Sequence, residues 1–171
     1  MNMKKQLIIA IFILIALFGI GSIQAGETDV SFAIYLGNTV ARSETPLSKM
    51  ELSEVPFLTD ADIIEYRWSK HEIKLSPKGL EKFKQLAKER VEGRAFVVVA
   101  DGVRCYQGAF WKMSWSSSYP YPVILIDSLS SNILTIGRAY PAPASAKGED
   151  PRNDKRIYDA LKRKGKLKDT D

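Results

Sequence analysis

The feature that most constrains this chain is the stretch of residues 94–127, in which apolar runs alternate with turn signals. Residues 96–100 form a continuous apolar run, which is typical of a strand covered on both faces. The pair Asp101-Gly102 follows at once and is a strong hairpin signal, so residues 103–112 are predicted to return antiparallel. Residues 123–127 are a further strand of the buried type. We therefore expect a sheet built around three strands from this stretch.

Helix signals surround this sheet. Ser76-Pro77 offers a capping hydroxyl followed by proline at the first helical position, and apolar residues then recur at spacings of three and four. Asp150-Pro151 opens a second such segment, and residues 59–66 are predicted to form a short helix. The expected fold is α+β, with a mostly antiparallel sheet, one main amphipathic helix at about 77–90 and a C-terminal helix at about 152–164.

The N-terminus has the pattern of a secretory signal. Lys4-Lys5 precede an apolar run, and small residues lead to Ala25, which predicts cleavage after that residue. The alternative is an uncleaved anchor formed by residues 7–25. We expect an exported protein, periplasmic or extracellular, or held to the membrane if residues 7–25 are retained.

The remaining chain divides into three parts by composition. Residues 26–140 are predicted to be a single domain, and residues 141–149, rich in proline, alanine and glycine, a linker. Residues 150–171 carry the C-terminal helix and a charged tail. Loss of the two signal lysines lowers the net charge from +5 to +3, a mild excess that does not indicate a nucleic-acid partner. Cys105 stands alone and is predicted to be a buried, inert thiol.

Part of the chain resembles a known export protein. The strand ending at Leu75, the segment Ser76-Pro77-Lys78-Gly79, the helical Phe83, Gly93-Arg94 and the hairpin with Asp101-Gly102 resemble the periplasmic head subdomain of SecD over residues 73–110. The resemblance implies a strand–helix–strand–strand topology. It implies no motor function, because SecD has transmembrane helices beyond its head and this sequence shows none after residue 25.

A second resemblance is wider. The sequence is similar to a group of uncharacterised exported bacterial proteins in several segments, which include residues 57–63, the motif Tyr106-x-Gly-Ala-Phe-Trp111, the serine loop and Asp150-Pro151-Arg152. That similarity implies a self-contained exported domain and brings no activity with it.

Catalytic and metal-binding patterns are weak. His71 is the one histidine, and a role as general base would need a nucleophile brought close by folding. No serine lies in a Gly-x-Ser-x-Gly elbow, and one histidine, one cysteine and scattered acids do not make a metal site. We predict no catalytic residue, no cofactor and no metal.

The most distinctive candidate for a binding site is a group of aromatic residues at the end of the predicted strand 103–112 and in the loop after it. If alternate residues of this strand share a face, then Tyr106, Gly108 and Phe110 oppose Cys105, Ala109 and Trp111. One face is expected in the core, and the other can continue into the loop as an aromatic surface. The candidate ligand-binding residues are Tyr106, Trp111, Trp115, Tyr119 and Tyr121.

Three functions follow from these patterns. The first is a non-enzymatic exported domain that binds a peptide or protein partner through the aromatic residues. The second is a hydrolase-like enzyme that uses His71, and the third is a structural or accessory domain in which the aromatic residues are all core. The exposure of His71 and of the loop aromatic residues separates these hypotheses. Membrane contact is expected only through an uncleaved N-terminal segment.

Overall fold

The computed structural model describes residues 30–41, 45–89, 93–129 and 131–168. The predicted signal and the end of the charged tail lie outside these ranges. The strands are β1 (Phe32–Val40), β2 (Leu58–Thr59), β3 (Ile63–Arg67), β4 (Glu72–Leu75), β5 (Arg94–Ala100), β6 (Val103–Trp111), β7 (Val123–Leu125), β8 (Ile133–Gly137) and β9 (Leu167–Lys168), and the helices are α1 (Pro77–Lys88) and α2 (Lys155–Arg163). No described helix is long and apolar enough to cross a membrane.

These strands form one sheet among the described residues, in the order β2-β1-β5-β6-β7-β8-β4-β3-β9. Most neighbours are antiparallel, and the pairs β6–β7 and β3–β9 are parallel. The predicted α+β fold with a mostly antiparallel sheet is thus confirmed. The Asp101-Gly102 turn joins β5 to β6 as predicted, with positive φ at both residues.

The sheet curves back on itself. β2 lies at one edge and β3 is next to the other edge, yet only the short 3-10 helix Asp60–Asp62 separates them in sequence. Asp60 Oδ2 accepts hydrogen bonds from the amides of Ser31 and Phe32, while Asp62 completes a capping box with Thr59. These buried carboxylates fix the turn that brings the two sheet edges together.

The main core fills the concave side of this sheet. It includes side chains from the strands together with Phe83 and Leu86 of α1 and Ile157, Ala160 and Leu161 of α2. Two smaller clusters cover the opposite, outer face. One lies under the 3-10 helix Leu47–Lys49, and the other lies under the loop between β6 and β7. The outer face of the central strands is therefore covered by loops and one short 3-10 helix rather than by α-helices.

The predicted helix at residues 59–66 was wrong beyond its first turn. Thr59 does begin a capped turn, but residues 63–67 are the strand β3. β3 pairs with β4 on one side and with β9 on the other, and the β-branched pair Ile63-Ile64 suits a pleated strand. Partners that are distant in sequence override the local helix signal here.

The two main helices have boundaries that differ slightly from the prediction. α1 begins at Pro77 with Ser76 accepting from the Gly79 amide, as predicted, and ends at Lys88. α2 begins at Lys155 rather than residue 152, because Asp154 caps it through the Arg156 amide. Asp150 instead caps a separate 3-10 helix, Pro151–Asn153, and binds the Arg152 guanidinium.

The face assignment of Cys105 was also wrong. A bulge shifts the β5–β6 register between Val98 and Val99, so that Tyr106 faces Val98 and Arg104 faces Val99. Because the extra residue reverses the alternation, Cys105 packs against the main core and not beside Ala109 and Trp111. Burial raises the pKa of the Cys105 thiol, as does the carboxylate of Asp154.

Candidate functional site

The predicted aromatic residues of the loop gather on the outer face, at the end of β6. Trp111 stacks on Tyr119 with ring centroids 5.3 Å apart, and Trp115 meets Trp111 edge-on at 4.7 Å. Tyr119 in turn contacts Tyr121 at 5.7 Å. The main chain of Tyr119 exchanges two hydrogen bonds with Tyr140, which anchors the loop to the segment after β8. This loop between β6 and β7, residues 112–122, is therefore a packed unit, and we call it the aromatic loop.

Burial divides these aromatic residues. Trp111 and Tyr119 are only 8% and 7% exposed, whereas Trp115 and Tyr121 are half-buried. Burial raises the pKa of Tyr119 to about 12, with a contribution from Tyr121. Tyr106 lies on the opposite face of β6, in the main core, where burial raises its pKa well above the usual value. The five predicted residues thus do not form one exposed surface.

Two of the five, Tyr106 and Tyr121, line a pocket instead. Its volume is about 340 Å³, at the lower end of the range of ligand pockets. The walls come from β6, the aromatic loop, the segment after β8 and the 3-10 helix Leu47–Lys49. They are Leu47, Tyr106, Gln107, Pro120, Tyr121, Pro122, Arg138, Ala146, Lys147, Gly148, Glu149 and Pro151. The walls are largely apolar. This pocket is the candidate site.

The pocket lies where the β6–β7 ladder ends. The register pairs Ala109 with Val123, and the Ala109 amide donates to Pro122 O. The two strands approach closely at Gly108, because a Cβ there would lie 2.2 Å from Phe96 Cζ and 2.5 Å from Pro122 O. The loop residues that precede Pro122 turn away from β6. The part of β6 around Gln107 is left beside the pocket without a strand partner on this side among the described residues.

Polar atoms without partners mark the same region. Among the described residues, the buried side-chain atoms that have no hydrogen-bond partner are Gln107 Oε1, Trp111 Nε1, Tyr119 Oη and Arg138 Nε. Each such atom costs on the order of 1–3 kcal/mol in a folded protein. All four belong to the aromatic loop cluster or to the pocket walls. Gln107 and Arg138 supply the pocket with one acceptor and one donor.

The charges around the pocket are of both signs. Arg138 donates through Nη2 to Gly148 O, and its Nε lies 4.0 Å from Asp150 Oδ2. Asp150 is held more closely by Arg152, and hydrogen bonds from that guanidinium keep the pKa of the Asp150 carboxyl below its usual value. At the rim, Lys147 stands two residues from Glu149. Arg138, Arg152 and Lys147 thus stand against Asp150 and Glu149, so the surroundings of this mainly apolar pocket carry a small positive excess.

His71 is enclosed by its neighbours rather than open to a substrate. It is 6% exposed, and its Nδ1 lies 3.2 Å from the Tyr66 hydroxyl inside a cluster with Trp68. Desolvation lowers the pKa of His71 to about 4, and Arg152 contributes in the same direction. The hydrolase hypothesis required an accessible imidazole, and this ring is enclosed. No group of three or more metal-ligating side chains occurs in the described part of the chain.

Sequence reasoning missed most of the pocket walls. Residues 146–149 were assigned to a linker, yet the Lys147 amide donates to Pro120 O and Gly148 O accepts from Arg138. Gln107 and Arg138 carry no motif. The sequence signal that could have indicated the pocket is the combination of Gly108 and Pro122. Glycine within a strand permits another chain to approach closely, and proline has no N–H to donate in strand pairing.

Comparison with known proteins adds no relative: no family model, curated protein or solved structure matches the chain.

Proposed function

We propose that the protein is an exported, non-enzymatic domain that binds a peptide segment of a partner protein in the pocket beside the aromatic loop. The observation that carries this proposal is the pocket itself, which combines apolar walls with a buried, unpartnered acceptor on Gln107 and donor on Arg138. Recognition sites for ligands typically have this composition, with few polar groups placed among apolar and aromatic side chains. Tyr121 and the prolines beside it supply rigid contact area at low cost in conformational entropy.

The test is selection of peptides from a random library displayed on phage, with the purified protein as target. Ala146 lines the pocket, so Ala146→Trp fills it, whereas Ala144 is exposed and outside it. Selected peptides should bind Ala146→Trp at least about tenfold more weakly, a loss of ~1.4 kcal/mol, and Ala144→Trp with unchanged affinity. Peptides that bind both variants equally well would contradict the proposal.

A structural or accessory function is the second candidate. The burial of Trp111 and Tyr119 favours it, because these two rings contribute packing rather than an open surface. Tyr121 and Trp115 remain half-buried, which leaves contact area for a partner. A selection that returns no peptide sensitive to Ala146→Trp would support this candidate over peptide binding.

Export is part of the proposal. Its support is the sequence of residues 1–25, with two lysines, an apolar run and Ala25 at the predicted cut. The elements β4, α1, β5 and β6 follow one another in the order that the resemblance to the SecD head subdomain over residues 73–110 implies. Intact mass of the protein recovered from the exported fraction tests this: a mass that begins at Gly26 is expected, and the full-length mass would favour the anchor.

A further inference from the structure

We infer that the peptide binds as an added strand, paired through its main chain with β6 at Gln107, and that the residue it presents to the pocket is uncharged. This inference rests on the proposed function and specifies the binding mode and the ligand class at the same pocket.

The main-chain N–H and C=O groups of β6 point alternately toward β5 and toward β7. The Ala109 amide and Trp111 carbonyl point toward β7, because they bond to Pro122 O and to the Ile126 amide. The Phe110 carbonyl points the other way, toward the Gly93 amide that precedes β5. Successive residues of a strand alternate in this direction, and the register is regular from Gln107 to Ala109. The N–H and C=O of Gln107 therefore point to the pocket side.

Pro122 explains why this edge is open. A parallel ladder continued by one step would pair the Gln107 carbonyl with the amide of residue 122, and proline has no N–H to donate. The carbonyl of Pro120, which the next step would use, accepts from the Lys147 amide instead. Among the described residues, no main-chain hydrogen bond joins Gln107 to the loop. An extended peptide can supply the missing donor and acceptor, as in other cases of strand addition to a sheet edge.

The polar side-chain atoms fit an amide ligand. Gln107 Oε1 accepts and Arg138 Nε donates, which matches the single N–H and single C=O of one peptide unit. An ionised carboxylate has no hydrogen to donate, so it would leave the Gln107 Oε1 acceptor without a partner. A sugar ring would bring several hydroxyl groups against walls that are mainly apolar, and burying unpaired hydroxyls is unfavourable.

The rim permits a ligand to reach these two buried atoms. Residues 147–149 are exposed, and a Cβ added at Gly148 would have no neighbour within 4 Å. The rim is held by the Lys147–Pro120 hydrogen bond of 3.0 Å and by the Arg138–Gly148 hydrogen bond of 3.0 Å. A small outward shift of this segment would open the way to Arg138 Nε, which then donates to the carbonyl of the peptide.

The apolar walls select the side chain. Tyr106, Tyr121, Pro122 and Pro151 offer apolar contact, and the Arg138 guanidinium already donates to Gly148 O and lies near Asp150. An aliphatic or aromatic side chain of the peptide gains from burial against these walls, whereas a charged one loses its hydration there.

The test uses capped tripeptides as probes and amide NMR of the ¹⁵N-labelled protein. Acetyl-Ala-Leu-Ala-amide should shift the main-chain and side-chain amide signals of Gln107 and the Nε–H signal of Arg138. Probes with glutamate or lysine in place of leucine should bind at least about tenfold more weakly, because the apolar walls do not replace the hydration of a charge. Ala146→Trp should abolish the shifts, and Ala144→Trp should leave them unchanged.

Methylation of the probe nitrogens isolates main-chain pairing. Alternate N–H groups of an extended strand face the same partner strand. Methylating the leucine nitrogen and methylating the flanking alanine nitrogens should therefore weaken binding to different extents, because only one of the two sets donates to β6. One pattern should weaken binding about tenfold or more, and the other by less than about twofold. Equal effects at every nitrogen, preference for the glutamate probe, binding of methyl glucoside at Gln107, or no shift at Gln107 with any of the three peptides would each overturn the inference. Library peptides that remain sensitive to Ala146→Trp would still support the proposed function in that event.

Discussion

Gly108 sets how closely β6 approaches the start of β7. The absence of a side chain lets the ring of Phe96 and the carbonyl of Pro122 approach from two sides. The Ala109 amide then reaches Pro122 O at 2.9 Å, and this is the last rung of the ladder before the pocket. One small residue thus allows the last rung of this ladder to form.

Gly108→Ala is therefore expected to destabilise the fold strongly. The added methyl would lie 2.2 Å from Phe96 Cζ in a fully buried setting, and relief requires movement of backbone at Pro122. We expect a loss of about 2–4 kcal/mol in the free energy of unfolding, measured with urea. Gly137→Ala on β8 is the control: its nearest contact is a Val123 methyl at 3.3 Å, so its loss should be under about 1 kcal/mol. Equal losses would show that the Gly108 contact is not specific.

His71 makes stability depend on pH. The pKa of the enclosed imidazole is lowered from 6.5 to about 4 by desolvation, with Arg152 adding to the shift and Asp150 opposing it. The unfolded chain therefore binds a proton below about pH 6.5 that the folded chain resists until about pH 4. Stability is lost as the pH falls through this window, and none is lost from this residue above it.

His71→Asn tests that dependence. Asparagine tolerates the left-handed backbone at this position, where φ is 49°, and does not titrate. The variant should be less stable at pH 7, because it loses ring contacts with Tyr66 and Trp68. Between pH 7 and pH 4.5 the parent should lose roughly 2–3 kcal/mol more than the variant in the free energy of unfolding. Parallel losses would show that His71 does not contribute.

At the scale of elements, sequence motifs predicted correctly those features that are stabilised by contacts between residues near each other in the chain. The Ser76 cap, Pro77 and the Asp101-Gly102 turn are read correctly because their hydrogen bonds lie within a few residues. β3 was missed because its partners β4 and β9 are supplied by distant parts of the chain. The bulge before Tyr106 was missed for the same reason, since nothing in the sequence of β6 alone marks it.

The turn between β2 and β3 depends on Asp62. Its carboxylate is 2% exposed, lies 2.6 Å from Lys82 Nζ of α1 and accepts from the Thr59 amide. Asp62→Asn removes the charge while keeping an acceptor, so it should cost about 2 kcal/mol in the free energy of unfolding. Glu81→Gln in the same helix, where the side chain makes an exposed contact with Gln85, should change it by less than about 0.5 kcal/mol. A similar small effect for both would show that the ion pair does not hold the turn.

At the scale of the molecule, the curved sheet decides which residues meet. Residues 146–149 look like part of a linker in sequence because proline, alanine and glycine dominate the longer segment 141–149. In the fold they pack against the aromatic loop and form a wall of the pocket, a placement that needs the register of β6, β7 and β8 together. The aromatic loop was identified from sequence, but its accessible site lies at Tyr121 and Gln107 rather than along all five predicted rings.

The hydrogen-exchange rate of the Gln107 amide, measured by NMR, tests the central claim most directly. In the free protein this amide faces the pocket, so it should exchange faster than the amides of Tyr106 and Gly108, which face β5. Saturation with acetyl-Ala-Leu-Ala-amide should slow the Gln107 amide by about tenfold or more, because a peptide carbonyl then accepts from it. A Gln107 amide that is as protected as its neighbours without the probe, or that exchanges at an unchanged rate when the probe is saturating, would contradict the account.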